Sequence, residues 1–141
     1  MNDEYDLARF VRAQAPVYDG VLKDLRRGVM AAPSMAFIFP RLACADDPCA
    51  HYAIVSLDEA RAYLSLSPLG GRYRECVSAL LPLFAADVRA VFGEAGATDL
   101  HASLTLFSAA SPREFLLETM FDVWFHGAVD ERTAIEINRA P

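Results

Sequence analysis

The densest run of chemically capable side chains is Cys44-Ala-Asp46-Asp47-Pro-Cys49-Ala-His51. Two thiols, two carboxylates and an imidazole form a metal-capable set. Structural zinc prefers cysteine knuckles with roughly two to four residues between them and a second ligand pair from elsewhere. Here the spacing sits at the edge of that pattern, and Cys76 or His101 would have to arrive from distant helices. The run therefore reads as a surface loop, with no metal and no cofactor expected.

Nucleophilic catalysis needs a serine or cysteine beside a base. Ser34, Ser56, Ser67 and Ser111 all precede or open predicted helices, where capping accounts for them. No nucleophile elbow, phosphate-binding loop or dinucleotide glycine pattern is present, and "LGGR" at Leu69 to Arg72 is too short to stand for one. His101 and Thr105 share one helix face, so His101 is a candidate base as well as a candidate structural histidine. Arg72 and Arg74 follow Gly70-Gly71, where one of them could clamp an anion and a surface ion pair is the default. Glu114, Glu118 and Asp122 recur every four residues and read as a solvated stripe rather than catalytic carboxylates. Gln14, Tyr18, Phe37 and Tyr52 are amphipathic and could line a pocket or edge a core.

Composition limits what these residues can serve. The chain has 141 residues, 54% of them hydrophobic and 23% charged, enough apolar surface for one domain with its own core. A formal net charge of -6 argues against nucleic acid, which demands a basic face. The local cluster Lys23, Arg26 and Arg27 suits the carbonyl end of a helix dipole instead. The acidic start "MNDEYDLARF" is unlike a secretory leader, no apolar run reaches membrane-spanning length, and three cysteines fit a reducing cytoplasm. The expected setting is cytoplasmic, without nucleic-acid or membrane partners.

The elements that must hold these groups read as helices. Leu7, Phe10, Val11 and Gln14 keep helical spacing behind Asp3 as a cap, and Pro16 opens a second helix that Gly28 ends. "MAFIFP" is too short for periodicity to decide between buried strand and helical turn. Ser56 and Glu59 make a capping box for "LDEARAYLSL", and Ser67-Pro68 starts the next helix, whose Tyr73, Val77, Leu80, Leu81 and Phe84 face one way until Pro82 disturbs it. "AADVRAVFG" predicts a short helix closed by Gly93, then a small-residue loop "GEAGA", then "LHASLTLF" capped by Thr98 or Asp99. Ser111, Pro112 and Glu114 give a strong start signal for "REFLLETMFDVWF", apolar over most of its circumference and so assigned the central position or an intersubunit face. Asp130 caps the last helix, "ERTAIEINR". The fold expected is all-α, a compact multihelical single domain of six to eight short helices over residues 1–141.

The segments "YDLARFVRAQAPVYDGVLKDLRRG", "FIFPRL", "YAIVSLDEARAYL", "LGGRYRECVSALL", "LTLF" and "WFHGAVDERTAIEI" together resemble domain-of-unknown-function family 1810, small bacterial proteins, from about Tyr5 to Ile137. The resemblance implies an all-α fold, makes "MAFIFP" helical, and brings no activity with it. Departures from the family pattern fall on polar and aromatic positions. Where relatives read "HWMWFIFPQ" this chain runs from Pro33 to Arg41, losing the histidine, both tryptophans and the glutamine. Leu66 replaces a histidine and Asp99 a lysine. A site built on those groups would be lost or rebuilt here. Asp99 would repel an anion, and Arg41 would partly restore the attraction.

Two functions follow as expectations. The first is a non-catalytic small-molecule or protein-binding module with a degenerate family site, using Gln14, Tyr18, Phe37, Arg41, Tyr52, Arg72, His101 and Thr105. The second is a small enzyme acting on a nucleotide-like or other anionic metabolite, with His101 as base and an arginine as clamp, and it requires those side chains to converge on one pocket. A homodimer through the aromatic C-terminal helix is a third expectation.

Overall fold

A computed structural model describes residues 5–30, 34–43, 51–83 and 87–139. Eight helices follow in order: α1 (Ala8–Gln14), α2 (Tyr18–Arg26), α3 (Met35–Ile38), α4 (Leu57–Ser65), α5 (Leu69–Leu80), α6 (Val88–Ala110), α7 (Phe115–Phe125) and α8 (Glu131–Arg139). Among the described residues there is no strand, only a single parallel bridge between Leu42 and Ile54. That bridge ties the end of α3 to the start of α4 through Ala43 N–H to the Ile54 carbonyl (2.7 Å) and Ile54 N–H to the Arg41 carbonyl (2.8 Å).

The second half of α6 is the central element. Leu100, Leu104, Leu106 and Phe107 are fully buried, and the helix packs against α3, α4, α7 and α8. This corrects the first of the two readings of α7, the central position. Of its residues only Leu117, Met120 and Trp124 are buried, while Phe115 stands 79% exposed. The reason lies in the neighbours: α7 packs on α5 and α6, which leaves Leu116, Phe121 and Phe125 half-buried and Phe115 and Val123 exposed.

An aromatic lattice fills the centre. Phe107 lies 4.4 Å from Tyr73 and 5.3 Å from Tyr63 between ring centroids, and Phe10 meets Tyr63 edge-on at 5.1 Å. Such offset and edge arrangements suit the ring quadrupoles. Buried phenols need partners, and Tyr73 shares a 3.0 Å hydrogen bond with Ser103.

Caps follow the sequence in part. Ser56 Oγ accepts from Glu59 N–H at 3.1 Å, and Asp130 accepts from Thr133 N–H at 3.1 Å, as their spacing predicts. Three expectations need correction. "GEAGA" is helix rather than loop: α6 runs through it, and Gly93 alone turns the chain, at φ 75°. Its alanines are strong helix formers and Gly96 is buried on Phe92, so the residues after the turn resume helix at once. Thr98 does not cap; its hydroxyl bonds back to the Glu94 carbonyl at 3.1 Å. The box at Ser111 is likewise redirected, because Glu114 is itself the N-cap of α7 and gives its carboxylate to Arg74. Asp3 and Phe84 lie outside the described residues, as do Cys44, Asp46, Asp47 and Cys49.

Candidate functional site

Five of the eight sequence-predicted site residues form one contiguous cluster where α1, α2, α3 and α5 meet. Gln14, the last residue of α1, is buried to 1% exposure, so each polar atom of its amide needs a partner. Its Nε2 donates to the Phe37 carbonyl (2.7 Å) and the Tyr63 hydroxyl (2.9 Å), and its Oε1 accepts from Arg72 Nη1 (3.4 Å). The Arg72 guanidinium stacks over the Tyr18 ring, 5.0 Å from the centroid. Tyr18 donates to Glu75, which holds that carboxylate on the phenol rather than on Arg72. Burial first, and then Glu75, raises the Tyr18 pKa, so the phenol stays a donor. Phe37 meets Tyr52 edge-on at 5.4 Å, and Tyr52 in turn touches Phe10 and His51 at 5.7 and 4.6 Å.

Arg9 fixes the loop that carries Tyr52. It donates to the carbonyls of His51 and Ala53 (both 2.9 Å) and pairs at 3.1 Å with Glu59, whose side chain is 2% exposed. Glu59 also accepts from Val55 N–H at 2.9 Å. The charge is thus buried with both a partner and a backbone donor, the condition under which a buried ion pair is tolerated.

Arg72 is the exception among its kind. Of the half-buried arginines among the described residues, Arg9 meets Glu59 at 3.1 Å, Arg41 meets Asp99 at 3.5 Å and Arg74 meets Glu114 at 2.7 Å. Arg72 has no carboxylate within ion-pairing distance among those residues. Its Nη1 goes to Gln14, and Nε and Nη2 have no hydrogen-bond partner among the described residues. In Arg74 that same edge, Nε and Nη2, grips both oxygens of Glu114 at 2.7 and 3.0 Å. Of the two arginines, Arg74 takes the default ion pair, and Arg72 takes none among the described residues.

The other three predicted residues sit elsewhere. Arg41 faces Asp99 across a small cleft of about 80 Å³ shared with Asp130, Arg132 and Glu136, so the positive charge it brings is offset locally. His101 donates from Nε2 to the Ala128 carbonyl at 2.6 Å and stacks on Phe125 at 4.2 Å. Thr105 donates to the His101 carbonyl (2.8 Å) and accepts from Asp130 N–H (3.0 Å), holding the α7–α8 turn against α6. The contacts of His101 and Arg72 share no residue.

Glu75 and Tyr63 belong to the cluster but were not singled out from the sequence. Glu75 lies three residues after Arg72, on the same face of α5, and that spacing was the available signal. Tyr63 gave none beyond being an apolar-stripe aromatic. Cys76, beneath Tyr18, is buried, and burial pushes its thiol up to about 12, far from thiolate reactivity. No group of three or more metal-capable side chains occurs among the described residues. No described helix is long and apolar enough to cross a membrane.

A family model described as a protein of unknown function, DUF1810, matches residues 4–137. The chain is also similar to the conserved hypothetical protein Rv1873 from Mycobacterium tuberculosis, known as a crystal structure. The two share 34% identity and superpose with a TM-score of 0.91, covering 98% of this chain and all of the other. No curated protein matches the chain. The chain belongs to the DUF1810 family.

Proposed function

We propose that this DUF1810 member is a non-catalytic binding module that holds a small carboxylate- or phosphate-bearing molecule on Arg72. The observation that carries this reading is the unfilled Nε/Nη2 edge of a half-buried guanidinium already immobilised on Tyr18 and Gln14. A planar fork fixed in advance loses little entropy on pairing bidentately with an anion. Phe37 and Tyr52 supply apolar and aromatic surface beside it. The enzyme reading would need a base next to that arginine, and His101 is committed to the α7–α8 turn instead.

Thermal unfolding of wild type and Arg72→Gln against a panel of phosphorylated and carboxylated metabolites tests the reading. At least one class should raise the wild-type Tm, since ligand at 100 times Kd stabilises by about 2.7 kcal/mol. Arg72→Gln should not respond. An equal rise in both proteins, or none in wild type, contradicts it.

Self-association is favoured by one observation, the 79% exposure of Phe115 at the start of α7. A concentration-dependent sedimentation coefficient that Phe115→Asp abolishes would support it, and a concentration-independent monomer would end it.

A further inference from the structure

A second, open cleft of about 570 Å³ lies between α6 and the end of α7, away from the Arg72 cluster. Glu94, Thr98 and His101 lie along it at positions i, i+4 and i+7 of the helix that resumes after Gly93, one face of α6. Glu94 and Thr98 present oxygen lone pairs. The Thr98 hydroxyl hydrogen is given to the Glu94 carbonyl at 3.1 Å, so its oxygen remains an acceptor. A backbone carbonyl only accepts, so His101 Nε2 donates to Ala128, and the imidazole stacks on Phe125 at the edge of the cleft. Glu94 adds a carboxylate. On the facing wall Trp124 and Phe125 contribute rings: the Trp124 Nε1 is buried away from solvent with no acceptor among the described residues, so the indole offers its ring and not its N–H.

We propose that this cleft binds a small organic primary amine in its ammonium form. A carboxylate and a hydroxyl oxygen one helical turn apart, beside two aromatic rings, match a cation that donates several hydrogen bonds, through charge-assisted bonding and cation–π attraction. Glu94, His101 and His126 all line the cleft, yet among the described residues no group of three or more metal-capable side chains is placed to hold a metal ion. Arg89, exposed on the rim, opposes a cation by one charge, which Glu94 balances.

Trp124 is the only tryptophan of the chain, so its emission reports on the cleft directly. Titration with n-butylammonium should give a saturable change, and tetramethylammonium, with equal charge and no N–H, should bind at least about tenfold more weakly, the worth of charge-assisted hydrogen bonds. Glu94→Gln and Thr98→Val should each weaken n-butylammonium, while Arg89→Ala should tighten it. The proposal is overturned if no saturation occurs, if tetramethylammonium binds as well, or if both acceptor variants leave affinity unchanged. Arg72→Gln should leave this titration unaltered, which keeps the outcome separate from that of the anion site.

Discussion

Arg72 and Arg74 leave α5 two residues apart, and only Arg74 closes its Nε/Nη2 edge on a carboxylate, that of Glu114. Arg72 keeps the equivalent edge unspent while its other nitrogen and its π face are fixed by Gln14 and Tyr18. The pair sets an ion-paired arginine beside one whose edge meets no carboxylate among the described residues. Arg74 also donates to the Leu64 carbonyl at 3.0 Å, so it pins α4, α5 and the start of α7 together.

Gln14 is the hub on which the cluster depends. Gln14→Ala would leave the Phe37 carbonyl and the Tyr63 hydroxyl without their donor in a buried setting. A buried group deprived of its partner costs about 1–3 kcal/mol. Urea denaturation should show that loss as a lower midpoint at unchanged m-value.

Gly70 and Gly71 should respond in opposite directions to the same change. A Cβ on Gly70 would lie 1.9 Å from the Leu64 carbonyl oxygen, whereas one on Gly71 meets nothing within 4 Å. Gly70→Ala therefore forces backbone movement where α4 meets α5 and should cost about 3 kcal/mol or more. Gly71→Ala should stabilise by about 0.4–1 kcal/mol by restricting the unfolded chain. Thermal unfolding of the two variants side by side checks both signs.

Stability should fall at alkaline pH. The Cys76 thiol ionises near 9.0 when unfolded but is pushed up to about 12 by burial in the fold. Above the lower value the unfolded chain has released a proton that the native chain retains, so the contribution is complete below pH 9 and is lost as pH rises toward 12. Burial raises Tyr18, Tyr63 and Tyr73 in the same direction. The loss from Cys76 alone is at most about 1.4 kcal/mol per pH unit in that window. Denaturation of wild type and Cys76→Ala at pH 8 and pH 10.5 should show a shallower decline in the variant.

Helix content was legible because capping residues and apolar spacing act locally: Ser56, Asp130 and Gly28 do what their types predict. Glu114 was not, since its acid reads as half of a capping box until Arg74 arrives from 40 residues away in sequence. The central position expected for α7 fell to α6 for the same cause, as burial depends on which neighbours surround a helix and apolarity alone does not reveal them. Gln14, Tyr18, Phe37, Tyr52 and Arg72 were recognisable as amphipathic, and the structure groups them. His101 and Thr105 share a helix face as their spacing requires, but that face meets the α7–α8 turn. Arg41 finds Asp99, a pairing between positions 58 residues apart that no local pattern encodes.

The side-chain ¹⁵Nε–¹Hε resonances of Arg72 and Arg74, followed by NMR while inorganic phosphate and then acetate are titrated in, test the central claim most directly. The account predicts a saturable shift at Arg72 with an unmoved Arg74, whose edge Glu114 already fills. An Arg72 signal that does not move, or one that moves in step with Arg74, would contradict it.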